Sequence, residues 1–233
     1  MKVIANGGAI TKNVTCNTMD ALILGLNTSY IDGFKYKLYL TKDQEIITLG
    51  DDIVDNYVSD IDKICELTLK EYNHFNIGTD VKSQKILSLK EILKVFKKHP
   101  DKLLVLQLAN ICDKALLVDI VLELLKDYDI PNLYLESESK EVIEYLKSSG
   151  NSNYKVGAAV TSKSLSNFNL NVDFYDIYTS VLKIVNIRNK IRLGKIIMIN
   201  QVNRKETFNL IYNEYKAVLD YIYIITSMIA NIN

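Results

Sequence analysis

Short apolar segments alternate with amphipathic segments along the whole of this chain. The apolar segments have the length and composition of β-strands, and the segments between them carry apolar residues at helical spacing. This alternation is typical of βα units wound around a parallel sheet. Eight main strands are predicted: one carries Lys35 and Lys37, and the others lie at residues 2–5, 102–108, 132–136, 155–160, 174–177, 195–200 and 221–226. The predicted fold is therefore an α/β protein of the (β/α)8 TIM-barrel type.

The helices between these strands have recognisable boundary signals. Asn17 or Thr18 can cap a first helix that ends near residue 27, and Ser88 with Glu91 forms a capping box at the start of a helix over 89–98. Gly194 is placed to end a short helix. The remaining helices are predicted at residues 114–127, 140–148, 185–193 and 205–215, and a further helical stretch at residues 59–75.

Length and charge limit what the chain can be. A chain of 233 residues with 48% hydrophobic residues can bury a full core, so a single domain over residues 1–233 is predicted. The formal net charge is zero. Nucleic-acid binders usually carry a basic excess or stripe, so no nucleic-acid partner is predicted.

The cysteines and the apolar stretches bear on the compartment. Cys16, Cys65 and Cys112 are odd in number and lack metal-ligand spacing, which favours reduced thiols and a cytoplasmic location. No secretory signal is expected, because the first strand begins at Lys2. The most apolar stretch, 221–232, is too short to span a bilayer, and we predict a last buried strand there.

The stretch at residues 30–54 has an unusual distribution of charge. Lys35 and Lys37 are two residues apart, so on a strand they share one face, while Phe34, Tyr36 and Leu38 point the other way. A charged turn at residues 41–44 leads into a second strand over 45–49, and acidic residues follow. Two lysines facing the inside of a narrow barrel must meet anions or water, because a dry ammonium group is costly.

This strand, turn and strand resembles the metal-binding hairpin of the glycerophosphodiester phosphodiesterase family. The family reads Gly-Phe-Glu-x-Asp before Leu-Thr-Lys-Asp, and its Glu and Asp bind a divalent ion. This chain reads Gly33-Phe34-Lys35-Tyr36-Lys37 before Leu40-Thr41-Lys42-Asp43. Both metal-binding carboxylates are thus replaced by lysine. The resemblance implies a TIM barrel of the phospholipase C-like phosphodiesterase type and a background in lipid metabolism.

Other family motifs match with their functional residues changed. The family's Ala-His-Arg-Gly or Ala-His-Gly-Gly, with a catalytic His, matches Ala5-Asn6-Gly7-Gly8, and its Glu-Asn-Thr, with a metal-binding Glu, matches Cys16-Asn17-Thr18. The second catalytic His, in His-Asp-Asp, matches Gly50-Asp51-Asp52. A further metal-binding Glu, in Ile-Glu-Ile-Lys, falls on Gln107. The resemblance therefore implies a degenerate member of the family.

These replacements predict that the family reaction is lost. Hard divalent cations need several oxygen ligands, preferably carboxylates, and Lys35, Lys37 and Gln107 supply none. Neither Asn6 nor Gly50 can titrate near neutrality as histidine does. The two histidines, His74 and His99, fall on outer segments. No catalytic residue, metal ligand or cofactor is predicted, and Cys16 is interpreted as a small buried cysteine.

The carboxyl ends of the strands supply the candidate ligand-binding residues, because barrel enzymes place their chemistry there. The predicted site residues are Asn6, Gly7, Lys35, Lys37, Asp51, Gln107 and Asn200, and the strand ends Glu136 and Ser227 are candidates to line the same mouth. Two interpretations of the lysine pair are open. It binds an anionic ligand, or it is neutralised internally by Asp32, Asp51 or Asp52.

Two classes of function remain open at this point. The first is a non-catalytic relative that binds a phosphorylated small molecule, another anion or a protein partner, since two lysines keep positive charge where the family holds a phosphate. The second is a divergent phosphodiesterase or sugar-phosphate enzyme with a rebuilt, metal-independent site. Such an enzyme would use Lys35 or Lys37 after desolvation lowers a pKa. The first is preferred, because no pair of nucleophile and base can be named.

Overall fold

Eight parallel strands close into a barrel in the computed structural model, which describes residues 1–50, 61–78, 82–109, 111, 113–150 and 153–228. Strand β1 pairs with β2 on one side and with β9 on the other, which closes the ring. A ninth strand, β3, pairs antiparallel with β2. The strands are β1 (Lys2–Asn6), β2 (Gly33–Leu40), β3 (Ile46–Thr48), β4 (Leu103–Leu108), β5 (Leu133–Ser137), β6 (Lys155–Val160), β7 (Phe174–Tyr178), β8 (Ile196–Asn200) and β9 (Ile222–Thr226). The predicted (β/α)8 barrel is confirmed.

Helices connect successive strands and cover the outside of the barrel. The α-helices are α1 (Met19–Leu26), α2 (Leu69–Tyr72), α3 (Leu89–Phe96), α4 (Lys114–Leu125), α5 (Lys140–Ser148), α6 (Ile187–Arg192) and α7 (Lys205–Glu214). Four 3-10 segments lie at Ile61–Glu66, Leu165–Asn169, Thr179–Val181 and Lys216–Tyr221. Within the described ranges, no helix is long and apolar enough to cross a membrane.

The predicted helix boundaries agree with the local hydrogen bonds. The Thr18 side chain accepts from the Ala21 backbone N–H, and Ser88 with Glu91 forms both bonds of a capping box. Gly194 follows α6 with φ of +74°, a conformation that glycine adopts without strain. The stretch at 59–75 is helical only in part, because the described residues there form the 3-10 segment Ile61–Glu66 and the single turn of α2.

Side chains on the strands alternate between two separate apolar cores. The outward residues of β2, namely Phe34, Tyr36 and Leu38, pack in the large core beneath the helices. The inward residues of the other strands form a smaller core inside the barrel, which includes Ile4, Leu103, Val105, Phe174 and Met198. A glycine on β6 makes room for one of these rings, since a Cβ at Gly157 would lie 2.2 Å from Phe174 Cζ. Lys35 and Lys37 belong to the inward face.

The cysteines differ from the prediction in one case. Cys16 forms no disulfide, as predicted, whereas Cys65 is disulfide-bonded. Cys112 lies outside the described residues. The prediction that all the thiols are reduced is therefore wrong for Cys65, and the cysteines give no support for a cytoplasmic location.

Candidate functional site

A cavity of about 450 Å³ opens at the carboxyl ends of the barrel strands. Its lining includes Asn6 from β1, Lys35 and Lys37 from β2, Gln107 from β4 and Asn200 from β8. Cys16, Gly50 and Ser227, which follow strands in the chain, complete this side of the mouth. The prediction that Lys35, Lys37 and Gln107 face one mouth is correct, because residues two apart on a strand share a face and Lys37 is in register with Gln107.

The six positions that the family resemblance equates with catalytic or metal-binding residues all line this cavity. They are Asn6, Cys16, Lys35, Lys37, Gly50 and Gln107. These residues come from five separate places in the chain, and the closed barrel brings them together. None of the six carries a carboxylate or an imidazole.

Lys35 lies at the floor of the cavity between two carboxylates. Its Nζ donates to Glu136 Oε1 at 2.6 Å and makes a second, short ion pair with Asp176 Oδ2. The Lys35 side chain is only 3% exposed, and both carboxylate side chains are fully buried. Lys35 is thus neutralised inside the barrel by residues of β5 and β7.

The partners predicted for Lys35 were different ones. Asp32 does not reach the lysine, because its Oδ2 accepts from the backbone N–H of Val3 at 2.8 Å near the amino-terminal end of the strands. Asp51 and Asp52 lie outside the described residues. The internal ion pair therefore exists, but its carboxylates are Glu136 and Asp176.

The ion pair determines the protonation of Lys35. Burial alone would lower the pKa of its ammonium group, but the charges of Asp176 and Glu136 outweigh burial and raise that pKa above its ordinary value. Lys35 therefore stays charged at any physiological pH. Nucleophilic or general-base chemistry needs a neutral amine, so this ion pair argues against Lys35 in those two roles.

Asn200 belongs to the same buried network. Its Nδ2 donates to Asp176 Oδ2 at 2.9 Å, and its Oδ1 accepts from the backbone N–H of Gln201 at 2.8 Å. Gln201 has φ of +65°, in the left-handed region, which turns the chain sharply after β8. Asn200 thus orients Asp176 while one side of it faces the cavity.

Lys37 is the lysine that remains available to a ligand. Its side chain is half-buried and lies over the Tyr39 ring, with Nζ 5.5 Å from the ring centroid. In the part of the chain that the structure describes, no carboxylate lies within ion-pair distance of Lys37. The two lysines share a strand face but have different surroundings.

Two predicted site residues remain, Gly7 and Asp51, and the structure describes only the first of them. Gly7 is buried beside the cavity and does not line it, because its N–H donates to the Lys35 carbonyl at 2.8 Å and a Cβ there would lie 2.9 Å from Asn17 Nδ2. Gly7 thus lies in the buried turn after β1, and its ligand contact stays a prediction. Asp51 cannot be placed, since it lies outside the described residues.

A second cavity of about 500 Å³ adjoins the first and shares Lys37, Gln107, Glu138 and Tyr178 with it. Its outer wall carries Thr161, Ser162, Lys163 and Ser180 from the loops after β6 and β7. Sequence reasoning missed Asp176, Tyr178 and Glu138. The available signal for Asp176 was a lone carboxylate within the otherwise apolar and aromatic segment Phe174–Tyr178.

The site does not fit a divalent cation. Two of the positions matched to metal ligands carry ammonium groups, and the Lys35 ammonium occupies the point between the two buried carboxylates. Among the described residues, no group of three or more His, Cys, Asp or Glu side chains could hold a metal ion. Neither His74 nor His99 lines either cavity. We therefore derive no step that uses a metal.

Comparison with solved structures confirms the fold that the resemblance implied. A phosphodiesterase from Oleispira antarctica, solved in complex with the product sn-glycerol-3-phosphate, superposes with a TM-score of 0.81 at 18% identity, over 100% of this chain and 95% of that chain. A glycerophosphodiester phosphodiesterase from Thermotoga maritima gives 0.73 at 19% identity, over 97% and 94%. One from Agrobacterium tumefaciens gives 0.71 at 16% identity, over 97% and 96%.

The TM-scores establish a shared fold, and at identities this low they show the fold alone. The sequence matches no protein-family model and no curated protein. The chain has the barrel of the glycerophosphodiester phosphodiesterases over nearly its whole length.

Proposed function

We propose that this protein is a degenerate glycerophosphodiester phosphodiesterase-like barrel that binds an anionic or phosphorylated ligand at its mouth and does not hydrolyse phosphodiesters by the metal-dependent route. One observation carries the proposal. The six matched family positions line a single cavity, yet their side chains are amides, lysines, a thiol and a glycine. The meeting of all six positions in one cavity supports descent from a glycerophosphodiester phosphodiesterase site. The side chains at those positions argue against metal-dependent hydrolysis.

The loss of the reaction follows from charge and from protonation. A divalent ion at the mouth would meet Lys37 and the pair formed by Lys35 with its carboxylates, instead of free oxygen ligands. General acid–base catalysis needs a group that titrates near neutrality, and Asn6 and Gly50 provide none. The proposal therefore contains no catalytic residue.

Anion binding is assigned to Lys37 rather than to the lysine pair. Lys35 is neutralised by Glu136 and Asp176, whereas Lys37 faces both cavities and no described carboxylate lies within ion-pair distance of it. The amides of Asn6 and Gln107 lie in the same wall and can donate hydrogen bonds to phosphate oxygens. An ammonium group with amide donors suits a single phosphate group.

Glu138 narrows the class of ligand further. Glu138 lines both cavities. Its carboxylate would repel a second anionic group placed close to it, whereas it can accept hydrogen bonds from hydroxyl groups. A phosphate ester of a small polyol therefore suits the mouth better than a bare polyanion. The sn-glycerol-3-phosphate in the Oleispira antarctica structure belongs to this chemical class.

Thermal shift with sn-glycerol 3-phosphate, inorganic phosphate and sulfate tests the proposal. Ligand bound only by the folded state raises the melting temperature with concentration. We expect sn-glycerol 3-phosphate to stabilise the wild type, and we expect Lys37→Met to lose that shift. The exposed Lys94 on α3 offers a matched control, since Lys94→Met removes one lysine far from the mouth and should leave the shift unchanged.

Salt provides a second readout in the same experiment. Raised salt should weaken the shift, because the ligand is charged, although less than at a fully exposed site. A flat response of the wild type to all three compounds would contradict anion binding. A shift that persists in Lys37→Met would place the anion elsewhere.

A further inference from the structure

Three charged groups lie together inside the barrel with almost no exposure to solvent. The Lys35 side chain is 3% exposed, and the side chains of Glu136 and Asp176 are 0% exposed. One ammonium and two ionised carboxylates would carry a net negative charge. An uncompensated charge at a dry site is strongly unfavourable, so this cluster needs another source of positive charge or a proton.

The hydrogen bonds of the cluster leave one oxygen on each carboxylate without a partner. Lys35 Nζ contacts Glu136 Oε1 and Asp176 Oδ2, and Asn200 Nδ2 also donates to Asp176 Oδ2. The other two oxygens, Glu136 Oε2 and Asp176 Oδ1, are buried and have no hydrogen-bond partner. Buried polar atoms are normally paired, so two orphan acceptors on neighbouring carboxyl groups require an explanation.

We propose that Glu136 and Asp176 share one proton, carried by Glu136 Oε2 and donated to Asp176 Oδ1. A single proton pairs both orphan oxygens and brings the charge of the cluster to zero. The two carboxyl groups are neighbours, because the single Lys35 Nζ atom contacts an oxygen of each. This inference does not depend on the proposed function, because it concerns the floor of the barrel and stands whether or not the mouth binds a ligand.

The surroundings of Glu136 favour the protonated form. Burial and the charge of Asp176 raise the pKa of Glu136 well above the ordinary value, and Lys35 offsets this only in part. The positions in register with Glu136 on the two adjoining strands are Gln107 and Gly157, and neither is charged. From β7 the cluster is also faced by Tyr178, whose ring lies 5.8 Å from Lys35 Nζ and whose own pKa is raised by burial, so it stays a neutral phenol.

With the shared proton, the cluster of Lys35, Glu136 and Asp176 becomes an electrically neutral link between three strands. It holds β2, β5 and β7 together through one lysine and two carboxyl groups, without a metal ion and without a bound anion. It also makes the stability of the protein depend on pH. A carboxyl group whose pKa is raised on folding contributes stability that is complete below its unfolded pKa, near 4.5, and is lost as pH rises through its folded pKa.

Infrared spectroscopy of the wild type detects the proton directly. We expect the carbonyl band of a protonated carboxylic acid at neutral pH, and we expect its loss in Glu136→Gln and in Asp176→Asn, because either change leaves one carboxylate beside Lys35. The glutamine amide can replace the acid, since it donates to Asp176 and accepts from Lys35. No acid band in the wild type would overturn the proposal, as would a band that survives in Glu136→Gln. The wild-type spectrum alone decides the matter if a variant does not fold.

The pH dependence of unfolding gives an independent readout. Above pH 4.5, the unfolding equilibrium constant of the wild type should rise by up to tenfold per pH unit relative to that of Glu136→Gln, which corresponds to one proton released on unfolding. Glu138→Gln makes the same chemical change two residues along, at the half-buried rim of the mouth, and should keep the wild-type slope. Equal slopes for the wild type and Glu136→Gln would overturn the proposal.

Discussion

The Lys35 ammonium on β2 donates a hydrogen bond of 2.6 Å to Glu136 Oε1 on β5, and this contact joins two residues that are 101 positions apart. Strand β4 lies between β2 and β5 in the sheet, so the contact crosses the inside of the barrel. A link of this kind holds the barrel from within. It also separates the two lysines of β2, because Lys37 has no such partner among the described residues.

Removal of the Lys35 charge should destabilise the fold far more than removal of the Lys37 charge. Lys35→Met leaves Asp176 as an uncompensated buried charge, and we expect a loss of about 3–5 kcal/mol in the free energy of unfolding. Lys37→Met, the matched control, loses mainly a contact with the Tyr39 ring and should cost about 1 kcal/mol or less. Urea denaturation measures both. A larger loss for Lys37→Met than for Lys35→Met would contradict the arrangement.

The capping box at Ser88 supports a second prediction. Ser88 Oγ accepts from the Glu91 N–H and Glu91 Oε2 accepts from the Ser88 N–H, so Ser88→Ala should cost about 1 kcal/mol. Ser139 is a matched control, because it is equally buried and precedes α5 without a side-chain cap bond. Ser139→Ala should therefore cost clearly less in the same denaturation experiment. Equal losses at the two positions would argue against the capping box as the cause.

Gly157 supplies a third prediction, which concerns packing inside the barrel. A Cβ at this position would lie 2.2 Å from Phe174 Cζ, so Gly157→Ala should destabilise by about 1–3 kcal/mol through overpacking. In a Phe174→Leu background the ring is absent, and the cost of Gly157→Ala should fall. A double-mutant cycle measures this coupling. Additive effects would show that the methyl group and the ring do not meet.

The fold was predictable from the sequence because its signals are local. Apolar strands alternate with capped helices, and Thr18, Ser88 and Gly194 mark helix ends through contacts with residues three or fewer positions away or through a single backbone conformation. Side-chain alternation on one strand likewise placed Lys35 and Lys37 on the same face. These features need no knowledge of distant parts of the chain.

The electrostatics of the site could not be predicted in the same way. Lys35 is neutralised by residues 101 and 141 positions away, and only the register of the closed barrel decides which carboxylates meet it. Asp176 was overlooked because it lies within an otherwise apolar and aromatic strand. The predicted partners, Asp32, Asp51 and Asp52, all come from the 30–54 stretch that carries the lysines. Lys35 and Lys37 therefore point to the same side of β2 but have different neighbours.

A hydrolysis assay with a glycerophosphodiester tests the central claim most directly. The release of glycerol phosphate is measured with added Mg²⁺, Mn²⁺ or Ca²⁺, and again with excess chelator. The account predicts no turnover above the protein-free control under any of these conditions, since the positions matched to metal ligands carry ammonium, amide and thiol groups where a metal site needs carboxylates. Asp176→Asn serves as the control variant, because it removes a buried carboxylate beside the mouth. Turnover that requires a divalent ion, stops with chelator and is lost in Asp176→Asn would contradict the account and indicate a rebuilt metal site.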